Sequence, residues 1–578
     1  MVDHVQEHLT IFRENLQASG FMAMQKDGIE AWRGNLEVEW LDQSTKTRKI
    51  ADHNIEIRLE EGFPYRPPKV ISIDVNPPLG PSFHLNPDGG LCLWGVDRGW
   101  KPYFGANHLL NRIREWFHHY HTQTWPSNSE VPDLYLYLEP VGMILLGDEW
   151  QYAKKECQGR FSLWRPETLS LHKPCIASRV EGDVTSSTKT PESRLYDHFR
   201  VELKIKEIGI WFFIETPFVP PNNLTDLLGS IDKAIGWTNN ETREHIIHCI
   251  GEQSRSAGFP IALGYKDNTS QERWLFLWAE FPKYDNKRFK WSKPDNIKKV
   301  QLKSFRTLPA SKESLLRRSK YMSQELQDKS VTIFGCGSLG SAIALLLAKA
   351  GIGKLTLIDS DFVSPGNVAR HICDLGLVGL PKTTASRFVI QRHVPDCAVM
   401  EYGEIWNSEK IREYLSFTNL VIDATANRSF SLFLNDICIE TDTSFITATA
   451  YRKATIGRIV ICRPKIDPCL ACYSDHTYWN ENQYPLIPEG EGDGFVEDGC
   501  GSVTEEGVAL NIEAVANIAV RVATKVLGCD NFDGNLCIEV NEPLPNVRGI
   551  MSNSGRYWFD NRPHSNCIVC SKEVRSGD

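Results

Sequence analysis

Three glycines at the spacing G-x-G-x-x-G follow the apolar run VTIF and precede an apolar helical pattern; they are Gly335, Gly337 and Gly340. A strand, a glycine turn and a helix form the context in which this motif binds a phosphate, because glycine lets the backbone approach closely and the helix N-terminus offers N–H donors. A second predicted strand, 354–358, ends at Asp359, about 20 residues further on, where an acid that binds ribose is expected. To this point the pattern fits an NAD-dependent dehydrogenase equally well.

Charged and amide side chains after Asp359 favour ATP instead. The segment DSDFVSPGNVARH…GLPK supplies Asp361, Asn367, Arg370 and Lys382. An enzyme that cleaves a triphosphate must neutralise the charge on the departing phosphates, and these side chains suit that task. In this order they resemble the adenylating domain shared by ubiquitin-activating enzymes and the bacterial ThiF-type sulfur-carrier adenylyltransferases. The resemblance implies a Rossmann-like α/β domain that uses ATP and Mg²⁺.

One position departs from this family. Its members usually read D-x-T-D-N after the next strand, and the second Asp helps to hold magnesium. Here the segment reads LVIDATANRSF, so Asp423 is present but Ala426 takes the place of the second acid. Asp423 or Asp361 is left to replace it. The family also carries an upstream arginine that reaches the nucleotide, often across a dimer; Arg317 and Arg318 are candidates, although a basic pair is as readily a solvated helix face.

Two C-x-x-C pairs predict a metal site. Four thiolates in two such pairs are the usual tetrahedral ligand set for Zn²⁺ in a cytosolic protein. The adenylating family has the same two pairs at the same places, which implies a structural site that pins the end of the chain to the domain. The predicted ligands are Cys469, Cys472, Cys567 and Cys570.

A further cysteine, Cys500, ends the glycine-rich acidic stretch EGEGDGFVEDGC, which we expect to be mobile. A helix is predicted from about 505 to 527, and the positive end of its dipole would lower the pKa of a thiol just ahead of it. The family places its acyl-accepting cysteine here, under a loop that crosses the carrier's tail. The alternative is an incidental thiol in a flexible loop.

A second candidate nucleophile lies in the loop PSFHLNPDGGLCLW, which contains His84, Asn86 and Cys92. A thiolate can carry an acyl group as a thioester, and an Asn side chain can donate to the oxyanion formed when an amine attacks. By itself, the loop is equally typical of a structural turn that contains a buried cysteine.

The elements around this loop change that interpretation. A helix over 3–18, alternating strands, the proline-rich turn FPYRPPKV, His-x-Asn, Cys-Leu, Trp-x-Pro and a helix over about 107–120 resemble the ubiquitin-conjugating fold, an α+β fold, across residues 1–125. The resemblance implies that Cys92 carries the thioester and Asn86 assists aminolysis. Leu85 replaces the family's middle proline, and Trp94 stands where an Asp is common.

Between these regions, residues 126–310 contain no catalytic constellation. Strands are predicted at 141–147, 208–214 and 274–281, helices at 224–235 and 241–255, and a polar loop at 182–193. We expect an α/β linker domain. His245 and His248 are predicted to be surface or packing residues.

Composition sets the class of protein. The chain has 578 residues, 41% hydrophobic content, a formal net charge of -9 and 16 dispersed cysteines. This charge does not favour nucleic acid or an anionic membrane, and no apolar run reaches a membrane span of about 20 residues. The N-terminus MVDHVQEHLT lacks the regions of a signal peptide, so we expect a cytoplasmic protein.

The order of the three regions most closely resembles the bacterial fused activating and conjugating enzymes of cyclic-oligonucleotide antiphage defence (CBASS). We predict a conjugating-like domain at 1–125, a linker domain at 126–310 and a ThiF-type adenylating domain at 311–578. The resemblance implies a cGAS-like nucleotidyltransferase as the protein whose carboxylate is activated, a target lysine, and a homodimer through the adenylating domain. The alternatives are a sulfur-carrier adenylyltransferase, conjugation outside defence, and a non-catalytic scaffold.

Overall fold

The computed structural model of the chain divides into two compact units, Met1–Ala310 and Ser311–Asp578. The described residues are 3–42, 44–73, 85–86, 88–94, 99–102, 104–122, 124, 134, 138–147, 150, 158–179, 203–214, 218, 220–236, 244, 258–266, 272–282, 297–310, 314, 325–403, 406–473, 485, 487, 495–496, 503–504, 506–528, 534–545, 548–567 and 569–570.

The first unit opens with two helices and an antiparallel sheet whose strands follow chain order. Every predicted inward residue of the first helix is buried, because Val5, Leu9, Phe12 and Leu16 share one face at helical spacing. Both predicted helices are confirmed. The elements are α1 (Asp3–Ala18), β1 (Met22–Lys26), β2 (Ile29–Leu41), β3 (Arg48–Leu59), β4 (Lys69–Ser72) and α2 (Ala106–Thr122).

A closed seven-stranded barrel follows, in the order β10-β11-β5-β7-β6-β8-β9. Strands β11 and β5, β5 and β7, and β8 and β9 pair in parallel, and the others are antiparallel. The elements are β5 (Pro140–Leu146), β6 (Gln158–Arg165), β7 (Pro174–Arg179), β8 (Ile205–Ile214), α3 (Leu224–Ile235), β9 (Gly258–Lys266), β10 (Glu272–Glu280) and β11 (Gln301–Pro309).

This region is richer in strand than the α/β prediction. The three predicted strands and the helix at 224–235 are confirmed, but four more strands complete the barrel. One of these, β6, has a charged residue at a buried position, because Arg165 forms a buried ion pair at 2.8 Å with Glu207 on β8. The predicted helix at 241–255, the loop at 182–193, His245 and His248 lie outside the described residues.

The second unit is built on an eight-stranded sheet in the order β14-β13-β12-β15-β16-β17-β20-β21. The first five strands are parallel and the last three are antiparallel to their neighbours. The strands of this sheet are β12 (Ser330–Phe334), β13 (Lys354–Ile358), β14 (Ala398–Tyr402), β15 (Leu420–Asp423), β16 (Ser444–Tyr451), β17 (Ile456–Cys462), β20 (Leu536–Val540) and β21 (Gly555–Phe559). A separate two-stranded sheet pairs β18 (Phe495–Val496) with β19 (Val503–Thr504).

Among the described residues of this unit, five α-helices accompany the sheet, which is apolar on both faces as expected for buried parallel strands. They are α4 (Ser338–Ala350), α5 (Lys382–His393), α6 (Ser408–Leu415), α7 (Arg428–Glu440) and α8 (Ala509–Gly528). Because parallel strands end at the same edge, the loops after β12, β13 and β15 converge there.

In the part of the chain that the structure describes, no helix has the length and apolarity that a membrane span requires.

Candidate functional site

The glycine turn joins β12 to α4, as predicted. Gly335 has a φ of +84°, and a Cβ there would lie 2.8 Å from the carbonyl carbon of Ala424. A Cβ on Gly340 would lie 1.8 Å from the carbonyl oxygen of Gly335. Gly337, the N-cap of α4, has no atom within 4 Å of such a Cβ. The chain's own packing therefore requires two of the glycines, and the third leaves room for a phosphate at the helix N-terminus.

Asp359 lies against this turn at the end of β13. Its Oδ2 accepts a hydrogen bond from the Cys336 N–H at 2.6 Å, and its Oδ1 accepts from the Asp361 N–H at 2.8 Å. Burial raises the pKa of the Asp359 carboxyl group above its ordinary value. The side chain thus holds the glycine turn by a hydrogen bond to its backbone. It follows β13, where an acid that contacts ribose is expected.

His371 is a residue of this site that the sequence motifs do not include. Its Nδ1 accepts a hydrogen bond from the Cys373 N–H at 3.2 Å, so its Nε2 carries the proton and donates to the Cys336 carbonyl oxygen at 2.7 Å. The ring therefore ties the segment after Arg370 to the glycine turn. The only indication in the sequence was its position directly after that arginine.

Protonation of His371 should loosen this link. Burial lowers the pKa of His371 below 6.5, and a proton on Nδ1 would oppose the Cys373 N–H. The unfolded chain takes up this proton at higher pH than the folded chain, so stability should fall as the pH drops below about 6.5. We expect His371→Leu to lower the free energy of unfolding by about 1–2 kcal/mol at pH 7. Between pH 7 and 5, calorimetry should show that the unfolding temperature of this variant falls less steeply than that of the unaltered protein. Parallel declines in both proteins would contradict this role.

Lys382 and Asp361 form an ion pair beside the turn. Lys382 begins α5, and its Nζ lies 2.8 Å from Asp361 Oδ2. The lysine side chain is 14% exposed, whereas the aspartate side chain is 66% exposed. An incoming phosphate could therefore take Lys382 as its counter-cation and leave the exposed carboxylate available to a hydrated cation.

Asn367 and Arg370 follow in a turn that begins with a short 3₁₀ helix, Pro365–Asn367. Asn367 Oδ1 accepts from the Ser364 N–H at 3.0 Å, so the carbonyl end of this side chain closes the turn. Among the described residues, none accepts from its amide group, which can donate to an anion. The Arg370 N–H bonds the Asn367 carbonyl oxygen at 3.0 Å, and the arginine side chain is half-buried.

Asp423 is held within its own loop at the end of β15. Its Oδ1 accepts from the Thr425 N–H at 2.9 Å and from Thr425 Oγ1 at 2.7 Å, and its Oδ2 accepts from Ser431 Oγ. Burial raises the pKa of this carboxyl group. A carboxylate so occupied is a poor ligand for magnesium, so the exposed Asp361 fits this role better.

Ala426, where the family has an Asp, adopts a φ of +54°. This left-handed conformation is one that Asp and Asn adopt more readily than Ala. The backbone of the loop is therefore compatible with the residue type that the family pattern leads one to expect.

The four predicted metal ligands come together. Their sulfur atoms all lie within 4.8 Å of one another, and the Cys469–Cys567 and Cys472–Cys570 sulfurs are each 3.5 Å apart. Zn–S bonds of about 2.3 Å in a tetrahedron place sulfurs about 3.8 Å apart, so the cluster fits Zn²⁺. The two pairs are separated by about a hundred residues, so a metal here would join distant segments.

Cys92 and Asn86 lie on one short antiparallel ribbon closed by a Leu85–Leu91 bridge. The Asn86 N–H bonds the Gly90 carbonyl oxygen at 2.8 Å, so Asn86 is beside the turn and Cys92 follows the paired segment. Both side chains are exposed. His84, the third residue named in this loop, lies outside the described residues.

Trp94, two residues after Cys92, belongs to an aromatic cluster. Trp94 packs edge-on against Trp100 at 5.2 Å between ring centroids and stacks on His108 at 6.1 Å. The residue that replaces the family's Asp is therefore packed among aromatic rings and supplies no carboxylate.

Cys500, Arg317 and Arg318 lie outside the described residues. The predicted helix after Cys500 is present, but it begins at Ala509, nine residues beyond the cysteine along the chain. Two short paired strands, β18 and β19, bracket Cys500 in the sequence.

Comparison with known proteins identifies the family of the second unit. The family model described as the ThiF family matches residues 313–550. The chain is 30% identical to molybdopterin-synthase adenylyltransferase of Escherichia coli over 194 residues. This match covers 33% of this chain and 76% of that protein. The chain belongs to the ThiF family, and its C-terminal unit is a ThiF/MoeB-type adenylyltransferase domain.

A longer match has no stated activity. The chain is 25% identical over 383 residues to the uncharacterized protein y4oA of Sinorhizobium fredii, covering 62% of this chain and 61% of that protein. The chain thus spans less than two thirds of this relative. A solved structure of E. coli MccB with MccA-N7isoASN covers 43% of this chain and 68% of its own at 16% identity, with a TM-score of 0.34, which is too low to support an argument.

Proposed function

We propose that this protein is a fused activating and conjugating enzyme. It adenylates the C-terminal carboxylate of a partner protein, carries the acyl group first on Cys500 and then on Cys92, and joins it to a lysine amine. The observation that carries the first step is the meeting of the open glycine turn, Asp359 and the Lys382–Asp361 pair at one edge of the sheet.

In the adenylation step, a carboxylate oxygen of the partner attacks the α-phosphorus of ATP and the bond to the bridging oxygen breaks. Pyrophosphate leaves with the negative charge. Lys382 and Arg370 neutralise that charge, Asn367 donates to a phosphate oxygen, and Asp361 would hold the Mg²⁺ that accompanies ATP.

Two acyl transfers follow in this proposal. The Cys500 thiolate attacks the acyl carbon and AMP leaves, and then the Cys92 thiolate takes the acyl group and frees Cys500. The target amine attacks last, loses a proton and releases the Cys92 thiol, while Asn86 donates to the transient oxyanion. The order of α1, four antiparallel strands and α2 and the exposure of Cys92 support a conjugating-like role for residues 1–125.

The identity of the partner rests on resemblance. The order of regions resembles the fused enzymes of antiphage defence, which favours a cGAS-like nucleotidyltransferase as the activated protein. A homodimer through the adenylating domain, the linker role of residues 126–310 and a cytoplasmic location belong to the same proposal.

A second candidate is the adenylation of a sulfur carrier. It is favoured by the 30% identity to proteins named molybdopterin-synthase adenylyltransferase and sulfur carrier protein ThiS adenylyltransferase. Sulfur transfer has no need of a second acyl cysteine, so Cys92 would then be an incidental thiol.

Replacing Lys382 by Ala should lower ATP–pyrophosphate exchange about 100- to 1000-fold, because the departing phosphates lose a fixed counter-cation. The assay uses the full chain and a purified cGAS-like nucleotidyltransferase with its native C-terminus, and then a ThiS-type sulfur carrier. Lys354→Ala, at the opposite edge of the same sheet, is the matched control and should exchange normally. Unchanged exchange in Lys382→Ala would refute the site, and exchange with the sulfur carrier alone would favour the second candidate.

A further inference from the structure

Two histidines far apart in the sequence meet in the first unit. His53 lies on β3, His121 lies in the last turn of α2, and their Nε2 atoms are 2.9 Å apart. His53 is buried and His121 is half-buried. Neither residue has a part in the proposed acyl transfers.

Aromatic stacking fixes the direction of both rings. His53 stacks on Phe117 with centroids 3.8 Å apart and planes 9° apart. His121 stacks on Trp40 at 3.8 Å and 4°. Each imidazole is thus held on one face, and the two Nε2 atoms lie next to each other.

Two nitrogens so placed can share one proton or can bind one cation with both lone pairs. For metal–nitrogen bonds of about 2.0–2.1 Å, a separation of 2.9 Å gives an angle at the metal of about 90°. A tetrahedral site would need about 3.4 Å. The observed spacing therefore suits the adjacent positions of a square-planar or octahedral ion, the geometries of Cu²⁺ and Ni²⁺.

We propose that His53 and His121 chelate one divalent transition-metal ion of the Ni²⁺ and Cu²⁺ class. Among the described residues, no third His, Cys or carboxylate atom lies within 4.8 Å of both nitrogens, so water completes the coordination. The bound ion clamps the end of α2 to β3, across 68 residues of sequence. This site is separate from the four-cysteine cluster, whose sulfurs favour Zn²⁺.

The test uses the full chain with zinc already loaded, so that the cysteine cluster is filled, and Ni²⁺ as the probe. Calorimetric titration should show one further Ni²⁺ site. In His121→Phe, which keeps a flat ring on Trp40, the affinity should fall at least about 100-fold, because chelation by two linked ligands is lost. X-ray absorption at the nickel edge should count two imidazoles in the unaltered protein.

His119→Phe, on the same turn of α2, is the matched control and should bind Ni²⁺ normally. Unchanged affinity in His121→Phe, equal loss in His119→Phe, or no Ni²⁺ binding by the unaltered chain would each overturn the proposal. Circular dichroism in the presence of EDTA checks folding. If His121→Phe does not fold, His53→Phe, which keeps a ring on Phe117, provides the same measurement.

Discussion

Replacing Cys500 by Ala should leave the partner on neither cysteine, whereas replacing Cys92 by Ala should leave an ATP-dependent thioester on Cys500 and no final product. Thioester exchange between similar thiols is nearly isoenergetic, so direction comes from ATP consumption upstream. Only the domain that carries the nucleotide motif can load first. We expect complete loss of product in both variants, measured on non-reducing gels with the candidate nucleotidyltransferase and checked by cleavage with excess thiol.

Cys175→Ala, a buried barrel cysteine, is the control and should form product normally. A mixture of the two single variants tests the path of transfer, because recovered product would mean that the acyl group moves between chains. Normal loading of Cys92 in Cys500→Ala would refute the relay and would mean that Cys92 takes the acyl group directly from the adenylate.

Loss of one zinc ligand should have the second large effect. Structural zinc sites contribute about 10–16 kcal/mol of apparent binding energy, which exceeds the stability of most domains. Because the cluster joins the segment after β17 to the C-terminal segment, Cys567→Ser should release zinc and destabilise the second unit. Elemental analysis should find one zinc per unaltered chain and none in the variant, with a lower unfolding temperature.

A buried cysteine away from the cluster separates metal loss from packing loss. Cys397→Ser removes a buried thiol and should cost about 1–3 kcal/mol while the chain keeps its zinc. An unaltered chain that folds with no zinc, or Cys567→Ser that retains one, would contradict a structural zinc site.

Local patterns in the sequence determined much of this protein. The helical spacing of Val5, Leu9 and Phe12 predicted α1 because one face of a helix must be buried. The glycine motif predicted the β12–α4 turn because close backbone approach and positive φ favour a residue without Cβ. Gly335 shows both constraints, and Gly340 shows the close approach. The cysteine pairs predicted the sulfur cluster because metal ligands are recognisable by type and spacing.

Other features depended on contacts between distant segments, which a local pattern cannot encode. Two of the missed barrel strands show why. Arg165 puts a charged residue at a buried position of β6, where it pairs with Glu207, and β9 is buried at nearly every position and so has no polar–apolar alternation. The helix α8 begins at Ala509, four residues after the predicted start, because Gly507 disfavours a helix and keeps residues 506–508 outside it.

The roles of individual side chains at the nucleotide edge were likewise decided only in three dimensions. The sequence alone did not distinguish Asp423 from Asp361 as the magnesium ligand. In the structure Asp423 is buried and accepts three hydrogen bonds, whereas Asp361 is exposed beside Lys382. His371 reaches the glycine turn across 35 residues, and His53 meets His121 across 68. The sequence carries residue types and spacing, but solvent exposure and hydrogen-bond partners, which set the chemistry of each group, arise only when strands and helices pack.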